Sequence, residues 1–322
     1  MKTFLHVGYP KCGSSFLQTH YFVEENHFFN LTKDRLWRNF LYHQLLAAQS
    51  SFYVPTTPPL PDTGLPAKFK IGVSSEDFMG DKGVDYAVAL SRFKDIFPDT
   101  KVLIVIRNQQ DLVFSNYIQM VKVGYTRSID TYLKELRWDA QQSIWGKLYF
   151  DKIFQTTKNV FDDVLILPYE YIFEYEGFVQ QLNNYFERKY LPPNIMENVT
   201  SDQNVVAVMR ILSMLFRHGY GKPYNSILPS HMVGGGRFEV NNLQWERPST
   251  NVSRNIRLWS SRIGKRLPTP KNNARKQFQE RYRSLFEEHF SDSNYRLNEI
   301  LQFDLGKYDY VGTDQASSSR EA

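Results

Sequence analysis

The chain has 322 residues, of which 42% are hydrophobic and 15% aromatic, so it can bury one substantial core. No stretch approaches eighteen uninterrupted apolar residues, which argues against a transmembrane helix. The only cysteine, Cys12, cannot form an intramolecular disulfide, and a glycine loop that begins at Gly8 leaves no room for a removable signal segment. We therefore expect a cytoplasmic protein.

The formal net charge of +5 is unevenly distributed. The stretch from Arg237 to Arg283 carries twelve Arg or Lys residues against three acidic residues. An excess of this kind is typical of proteins with an anionic partner, such as nucleotide phosphates, nucleic acid, an acidic glycan or a membrane surface. A solvated basic surface without a specific partner is the other interpretation.

The first predicted strand covers 3–9 and runs into a glycine loop, "GYPKCGSS". Gly8 and Gly13 keep the spacing of the Walker A loop, G-x-x-x-x-G-K-[ST], but Ser14 stands where that motif has its lysine. The only lysine of the loop, Lys11, lies between the two glycines instead. The loop therefore departs from the pattern of ATPases.

The next residues, "SSFLQTHYF", predict a helix. Backbone N–H groups at a helix N-terminus favour a phosphate, and the hydroxyls of Ser14 and Ser15 add donors. A tight turn in which the serines only cap the helix is the alternative. His6, on the first strand, is most simply interpreted as a core histidine.

A helix is predicted over 34–49, with Leu36, Phe40 and Leu41 on its apolar face. The proline-rich stretch over 55–66 cannot form regular structure, because proline fixes its own backbone and removes a hydrogen-bond donor. We expect a connection there, or a rim of the active site.

The second predicted strand, 68–74, ends close to Glu76. In a parallel sheet, ligands bind beyond the carboxyl ends of the strands, which places this side chain near the glycine loop. A carboxylate in that position can take a proton from an acceptor hydroxyl. A helix-capping or surface glutamate is an equally good interpretation.

A helix over 84–97 leads to the third predicted strand, 101–107, which ends in Arg107. Walker-type ATPases commonly end this strand in an acid that holds magnesium, whereas a cation suits an anionic ligand. Ser115, in the helix predicted over 111–121, comes about two turns later and can point back to the same anion. Taken singly, either residue could have an ordinary structural role.

A fourth strand over 163–169 completes the alternation of strands and helices. This order predicts an α/β fold, P-loop-like and three-layered, with a central parallel sheet flanked by helices. An irregular stretch is predicted at 219–242, and a helical pattern returns from Asn273.

We expect one domain over 1–311, with a disordered tail over 312–322. Within that domain, the nucleotide-binding core covers about 1–190. A helical, loop-rich part over about 191–311 covers the acceptor and the cofactor.

Two of these motifs together resemble the sulfotransferases that use 3′-phosphoadenosine 5′-phosphosulfate (PAPS). The 5′-phosphosulfate loop of that family has the pattern P-K-x-G-[ST]-[ST], which "PKCGSS" matches from Pro10 to Ser15. The 3′-phosphate motif of the family is a strand that ends in arginine, followed by seven or so residues and then a serine, and it matches at Arg107 and Ser115. "ILPYEYIF" (166–173) is similar to the fourth-strand region of the family.

The resemblance implies roles for these residues. Lys11 would neutralise charge on the departing 5′-phosphate, and Glu76 would act as general base for an acceptor hydroxyl. Arg107 and Ser115 would hold the 3′-phosphate. The resemblance implies no metal, and it implies that the remaining donor contacts come from the loop and the start of the helix: Cys12, Gly13, Ser14, Ser15 and Phe16.

The chain departs from the cytosolic members of the family, which place a histidine rather than a glutamate after the second strand. In this it resembles the bacterial and carbohydrate-type branch. It also lacks the "RKG" stretch that completes the 3′-phosphate site. The candidates to replace that stretch are Arg237 in "GGGRFE", or Arg254 and Arg257 in "NVSRNIR".

The predicted reaction is sulfuryl transfer to a hydroxyl of a carbohydrate or small molecule, with no nucleic-acid partner. Two other functions stay open. A kinase-like P-loop phosphotransferase needs a lysine after Gly13 and an acid after the third strand. A non-enzymatic polyanion-binding protein would use the basic stretch, where Trp245, Trp259 and Tyr282 lie among the cations, but would leave the strand-end residues unexplained.

Overall fold

Five strands form one parallel sheet in the order β2-β3-β1-β4-β5. Within β1, Val7 pairs with Ser75 on one side and with Ile104 on the other, so the carboxyl ends of three strands meet at one edge. The strands are β1 (Thr3–Gly8), β2 (Phe28–Asn30), β3 (Lys70–Ser75), β4 (Thr100–Ile106) and β5 (Val164–Pro168).

The computed structural model of the chain describes thirteen stretches of sequence. They are 3–47, 53, 57–60, 69–79, 85–122, 125–138, 143–194, 203–215, 239–240, 243–244, 258–267, 274–301 and 303–313.

The predicted α/β fold with a central parallel sheet flanked by helices is confirmed. All four predicted strands are present, as β1, β3, β4 and β5, with ends within two residues of those predicted. The short strand β2 was not predicted, because a run of three residues is too short to show a period. Two further residues, Glu239–Val240, lie in the stretch predicted to be irregular and pair with Leu243–Gln244 as an antiparallel ribbon.

The chain divides into two compact units that interleave along the sequence. The first unit contains the parallel sheet and consists of Met1–Gln109, Lys147–Asn198 and Phe286–Ala322. The second unit consists of Gln110–Gly146 and Val199–Leu285. The single domain with a division near residue 190 stays a prediction, and the tail beyond residue 313 lies outside the described residues.

Ten helices in the described ranges accompany the strands. Within those ranges, no helix is long and apolar enough to cross a membrane. The helices are α1 (Ser14–Phe16), α2 (Arg35–Phe40), α3 (Tyr86–Ile96), α4 (Gln109–Lys122), α5 (Ile129–Trp138), α6 (Phe150–Val160), α7 (Tyr175–Phe186), α8 (Gln203–Leu215), α9 (258–264) and α10 (Ala274–Ile300).

Short turns of other helical types extend or connect these helices. Single π-helical turns continue α1 over Leu17–Tyr21 and α2 over Leu41–Leu45. The 3₁₀ turns are Glu24–Asn26, Leu31–Lys33, Ile144–Leu148, Tyr169–Phe173 and Leu305–Tyr308.

The predicted inward position of Leu36 is wrong, since 62% of its surface is exposed. The Asp34 carboxylate caps α2 by accepting the N–H of Trp37 at 2.9 Å. Because the helix begins at this cap, the buried Trp37 lies on its core side, together with Phe40 and Leu41.

An aromatic cluster forms the core on one side of the sheet. Phe4 stacks on Phe22 with ring centroids 4.8 Å apart, and its ring meets the edge of Phe28 at 5.0 Å. Phe186 from α7 packs against Phe28 at 5.5 Å. Offset and edge-to-face pairs of this kind add to the stabilisation from burial alone. The aromatic residues therefore fix the helix after the glycine loop against the sheet.

Gly72 on β3 pairs with Phe4 on β1. A methyl group at this position would overlap the backbone carbonyl of Phe4, which cannot move without breaking the sheet. We therefore expect Gly72→Ala to lower the free energy of unfolding by about 3 kcal/mol, the upper end of typical overpacking costs.

Urea denaturation checks this, with Gly177→Ala as the matched control. In α7, the added methyl group would meet only the end of the Tyr171 side chain, and alanine is the better helix former by about 1 kcal/mol. Equal losses in the two variants would contradict the close approach of β1 and β3.

Candidate active site

The candidate site lies at the carboxyl edge of the sheet in the first unit. The glycine loop follows β1, Glu76 follows Ser75 at the end of β3, and Arg107 follows Ile106 at the end of β4. Because these three strands are parallel neighbours, their ends bring the three segments together.

The glycine loop contains two left-handed backbone positions. Lys11 has φ +67° and Gly13 has φ +77°. Between them, the N–H of Cys12 donates to the carbonyl of Tyr9 at 3.2 Å, which closes a tight turn. Left-handed backbone is free for glycine but costs a lysine on the order of 1–3 kcal/mol, so neighbouring contacts must hold the loop in place.

Arg107 supplies one of those contacts. Its Nη1 donates to the carbonyl of Lys11 at 2.8 Å, and its guanidinium lies 4.8 Å from the ring centroid of Tyr169. Arg107, at the end of β4, therefore supports the strained residue of the loop. It also carries a buried N–H donor, Nε, that has no partner among the described residues.

Glu76 lies beside the loop and meets two of its side chains. Burial raises the pKa of Glu76 above its ordinary value by desolvation. The neighbouring Ser14 side chain and the charge of Lys11 act in the opposite direction and lower this pKa, but they do not outweigh the effect of burial. A carboxylate with a raised pKa is a better match for general-base work near neutral pH.

The other loop residues predicted to bind the cofactor have distinct environments. Ser14 is only 2% exposed, with its Oγ 3.4 Å from the carbonyl of Tyr9, whereas Ser15 is partly exposed. Cys12 is fully buried, and burial raises the pKa of its thiol well above the ordinary value. Phe16 packs between the rings of His20 and Tyr175. Contact of any of these residues with a cofactor stays a prediction.

The other residues predicted for the 3′-phosphate site are Ser115 and three arginines. Ser115 lies on α4 in the second unit, so its partnership with Arg107 stays a prediction. Arg237, Arg254 and Arg257 lie outside the described residues. In the described ranges, no group of three or more His, Cys, Asp or Glu side chains could hold a metal ion.

Tyr169 and Glu170 follow β5 and lie at the site, and neither was predicted to do so. A methyl group at Gly13 would lie 3.3 Å from the ring of Tyr169, the same ring that faces Arg107. Glu170 accepts the backbone N–H of Asn108 at 3.0 Å and the hydroxyl of Tyr310 at 3.1 Å. The signal in the sequence is their position directly after the fourth predicted strand, in "PYEY", which matches the positions of Glu76 and Arg107 at the ends of their strands.

His6 is a core histidine, as predicted. It is fully buried on β1, its Nδ1 lies 2.7 Å from the hydroxyl of Ser74, and burial lowers its pKa to about 3. Ser74 also donates its N–H to Asn30 and accepts a bond from Gln18. This network ties β1 and β3 together directly below the loop and Glu76.

Comparison with known proteins finds likenesses among solved structures. No protein-family model matches the chain, and no curated protein matches it significantly. Among solved structures, the chain is similar to a sulfotransferase from Alicyclobacillus acidocaldarius, with 19% identity and a TM-score of 0.43. The match covers 62% of this chain and 87% of that one.

The raised pKa of Glu76 makes a prediction about stability. The folded protein binds this proton more tightly than the unfolded chain does, so stability falls as pH rises through the raised pKa. Glu76→Gln removes the charged form. We expect the variant to gain stability over wild type as pH rises from about 4 to about 8, with little difference below the pKa of the unfolded chain.

Urea denaturation at several pH values measures this difference. Glu24→Gln, on the surface of the same unit, controls for the loss of one carboxylate. A Glu76→Gln variant that is less stable than wild type at about pH 8 would show that the carboxylate is stabilising, contrary to the raised pKa.

Proposed function

We propose that this chain is a PAPS-dependent sulfotransferase that transfers a sulfuryl group to a hydroxyl of a carbohydrate or small-molecule acceptor. The observation that carries the proposal is the meeting of Lys11, Ser14 and Glu76 at the carboxyl edge of the sheet, with Arg107 bound to the backbone of the same loop. The lone cysteine, which is buried, is compatible with the reducing cytoplasm as the location.

The residues of the loop fit an anionic donor. The buried Nε of Arg107 has no partner among the described residues, and a buried donor of this kind is normally satisfied by a ligand or water. Lys11 and the partly exposed Ser15 would hold the 5′-phosphosulfate, and Arg107 would hold the 3′-phosphate. When bound, PAPS supplies an already activated sulfuryl group.

The residues of the chain would position the acceptor and stabilise charge. Glu76 would accept the proton of the acceptor hydroxyl, and its raised pKa suits this role. Lys11 would neutralise negative charge on the 5′-phosphate side of the transfer. Transfer of an activated group depends mainly on positioning and on preorganised charge, and the site offers both.

The first test is the selectivity of nucleotide binding, measured by calorimetry on the full chain without added magnesium. We expect adenosine 3′,5′-bisphosphate to bind about 10 to 100 times more tightly than AMP, because hydrogen bonds to a charged group are worth about 1.5–3 kcal/mol. Arg107→Ala should remove this difference. Loss of the bond to Lys11 would weaken both ligands, whereas loss of a 3′-phosphate contact would weaken only the bisphosphate.

Arg296→Ala is the matched control. Arg296 is an exposed arginine of the same unit, paired with Asp151 at 2.7 Å, and its loss should leave the ratio of the two affinities unchanged. ATP is titrated separately, with magnesium added. If ATP with magnesium binds more tightly than the bisphosphate, or if no nucleotide binds, the proposed donor is wrong.

A further inference from the structure

The second unit contains an apolar cavity with a volume of about 310 Å³. This size falls at the lower end of the usual range for small-molecule sites, about 300–1,000 Å³. Side chains from α4, α5, α8 and α10 line it, and its apolar body includes Phe114, Ile118, Val121, Val206 and Phe278.

The charged side chains that line the cavity are all cations. Arg210 and Arg281 border the cavity, and its lining includes no Asp or Glu among the described residues. Arg281 is already neutralised, because it pairs with Asp130 at 2.8 Å. Asp130 also accepts the Tyr282 hydroxyl at 2.5 Å, and its pKa is lowered by that bond and by Arg281.

Arg210 differs from Arg281, because no carboxylate of the described residues pairs with it. Its guanidinium donates to the hydroxyl of Tyr117 at 3.2 Å. Tyr117 is itself fixed, since it is buried and packs against the ring of Tyr132 at 5.6 Å. The cavity therefore combines an apolar lining with the guanidinium of Arg210, which the bond to Tyr117 holds at the wall.

We propose that this cavity binds an amphipathic anion, a molecule with an aliphatic or aromatic body and a carboxylate that pairs with Arg210. The apolar lining favours the body by burial, and the guanidinium favours a carboxylate over a neutral polar group. A ligand with a second charge would bury that charge without a partner and would bind poorly. This inference goes beyond the proposed transfer reaction and does not rest on it.

Calorimetry of the full chain with sodium octanoate tests the proposal, with 1-octanol as the neutral ligand of the same chain length. We expect one octanoate to bind per chain, about tenfold or more tightly than 1-octanol, as a charge-assisted hydrogen bond predicts. Arg210→Gln should remove this preference, whereas Arg210→Lys, which keeps the charge, should retain most of it.

Two further variants locate the binding. Ala207 lines the cavity from the exposed side of α8, so Ala207→Phe should fill it and weaken both ligands about tenfold or more. Arg137→Gln removes an exposed arginine of the same unit that does not line the cavity and should change neither affinity. Thermal unfolding establishes that each variant is folded.

Three results would overturn the proposal. The first is no binding of octanoate to wild type, and the second is unchanged binding to Ala207→Phe. The third is an equal loss of affinity in Arg210→Gln and Arg137→Gln, because binding would then depend on net charge rather than on this cavity. Failure of nucleotide binding at the glycine loop would leave this proposal intact, since the two experiments use different ligands and different variants.

Discussion

The hydrogen bond from Arg107 to the carbonyl of Lys11 holds the candidate site together. Lys11 adopts a left-handed backbone that is unfavourable for any residue with a side chain, and Gly13 repeats that geometry at lower cost. The guanidinium of Arg107 offsets the strain from the end of a neighbouring strand. Because the ring of Tyr169 lies against both the arginine and Gly13, the ends of β1, β4 and β5 form one rigid support for the loop.

Burial gives the carboxyl groups of this edge their properties. Burial raises the pKa of both Glu76 and Glu170, but their surroundings differ. Glu170 is held by the N–H of Asn108 and the hydroxyl of Tyr310, which suits a structural role behind Arg107. Glu76 instead faces Lys11 and Ser14 of the loop. Burial makes Glu76 costly to ionise, and the proposed reaction needs a base at this position. A conflict of this kind between stability and function is expected at an active site.

The architecture of the sheet could be predicted from the sequence, and the geometry of the site only in part. Four apolar runs separated by helical patterns led to the parallel sheet, and residues at strand ends led to Lys11, Glu76 and Arg107. The bond between Arg107 and the backbone of Lys11 could not be predicted, because side-chain patterns carry no information about which carbonyl a guanidinium will reach. Tyr169 was missed because aromatic residues after a buried strand usually belong to the core.

The central claim is that the loop around Lys11 is a binding site for the phosphates of an adenosine bisphosphate. A crystal structure of the protein with adenosine 3′,5′-bisphosphate tests it most directly. We expect the 5′-phosphate to lie within hydrogen-bond distance of Lys11 and Ser15, and the 3′-phosphate to contact the guanidinium of Arg107. A nucleotide bound away from this loop, or with its 3′-phosphate turned from Arg107, would contradict the account.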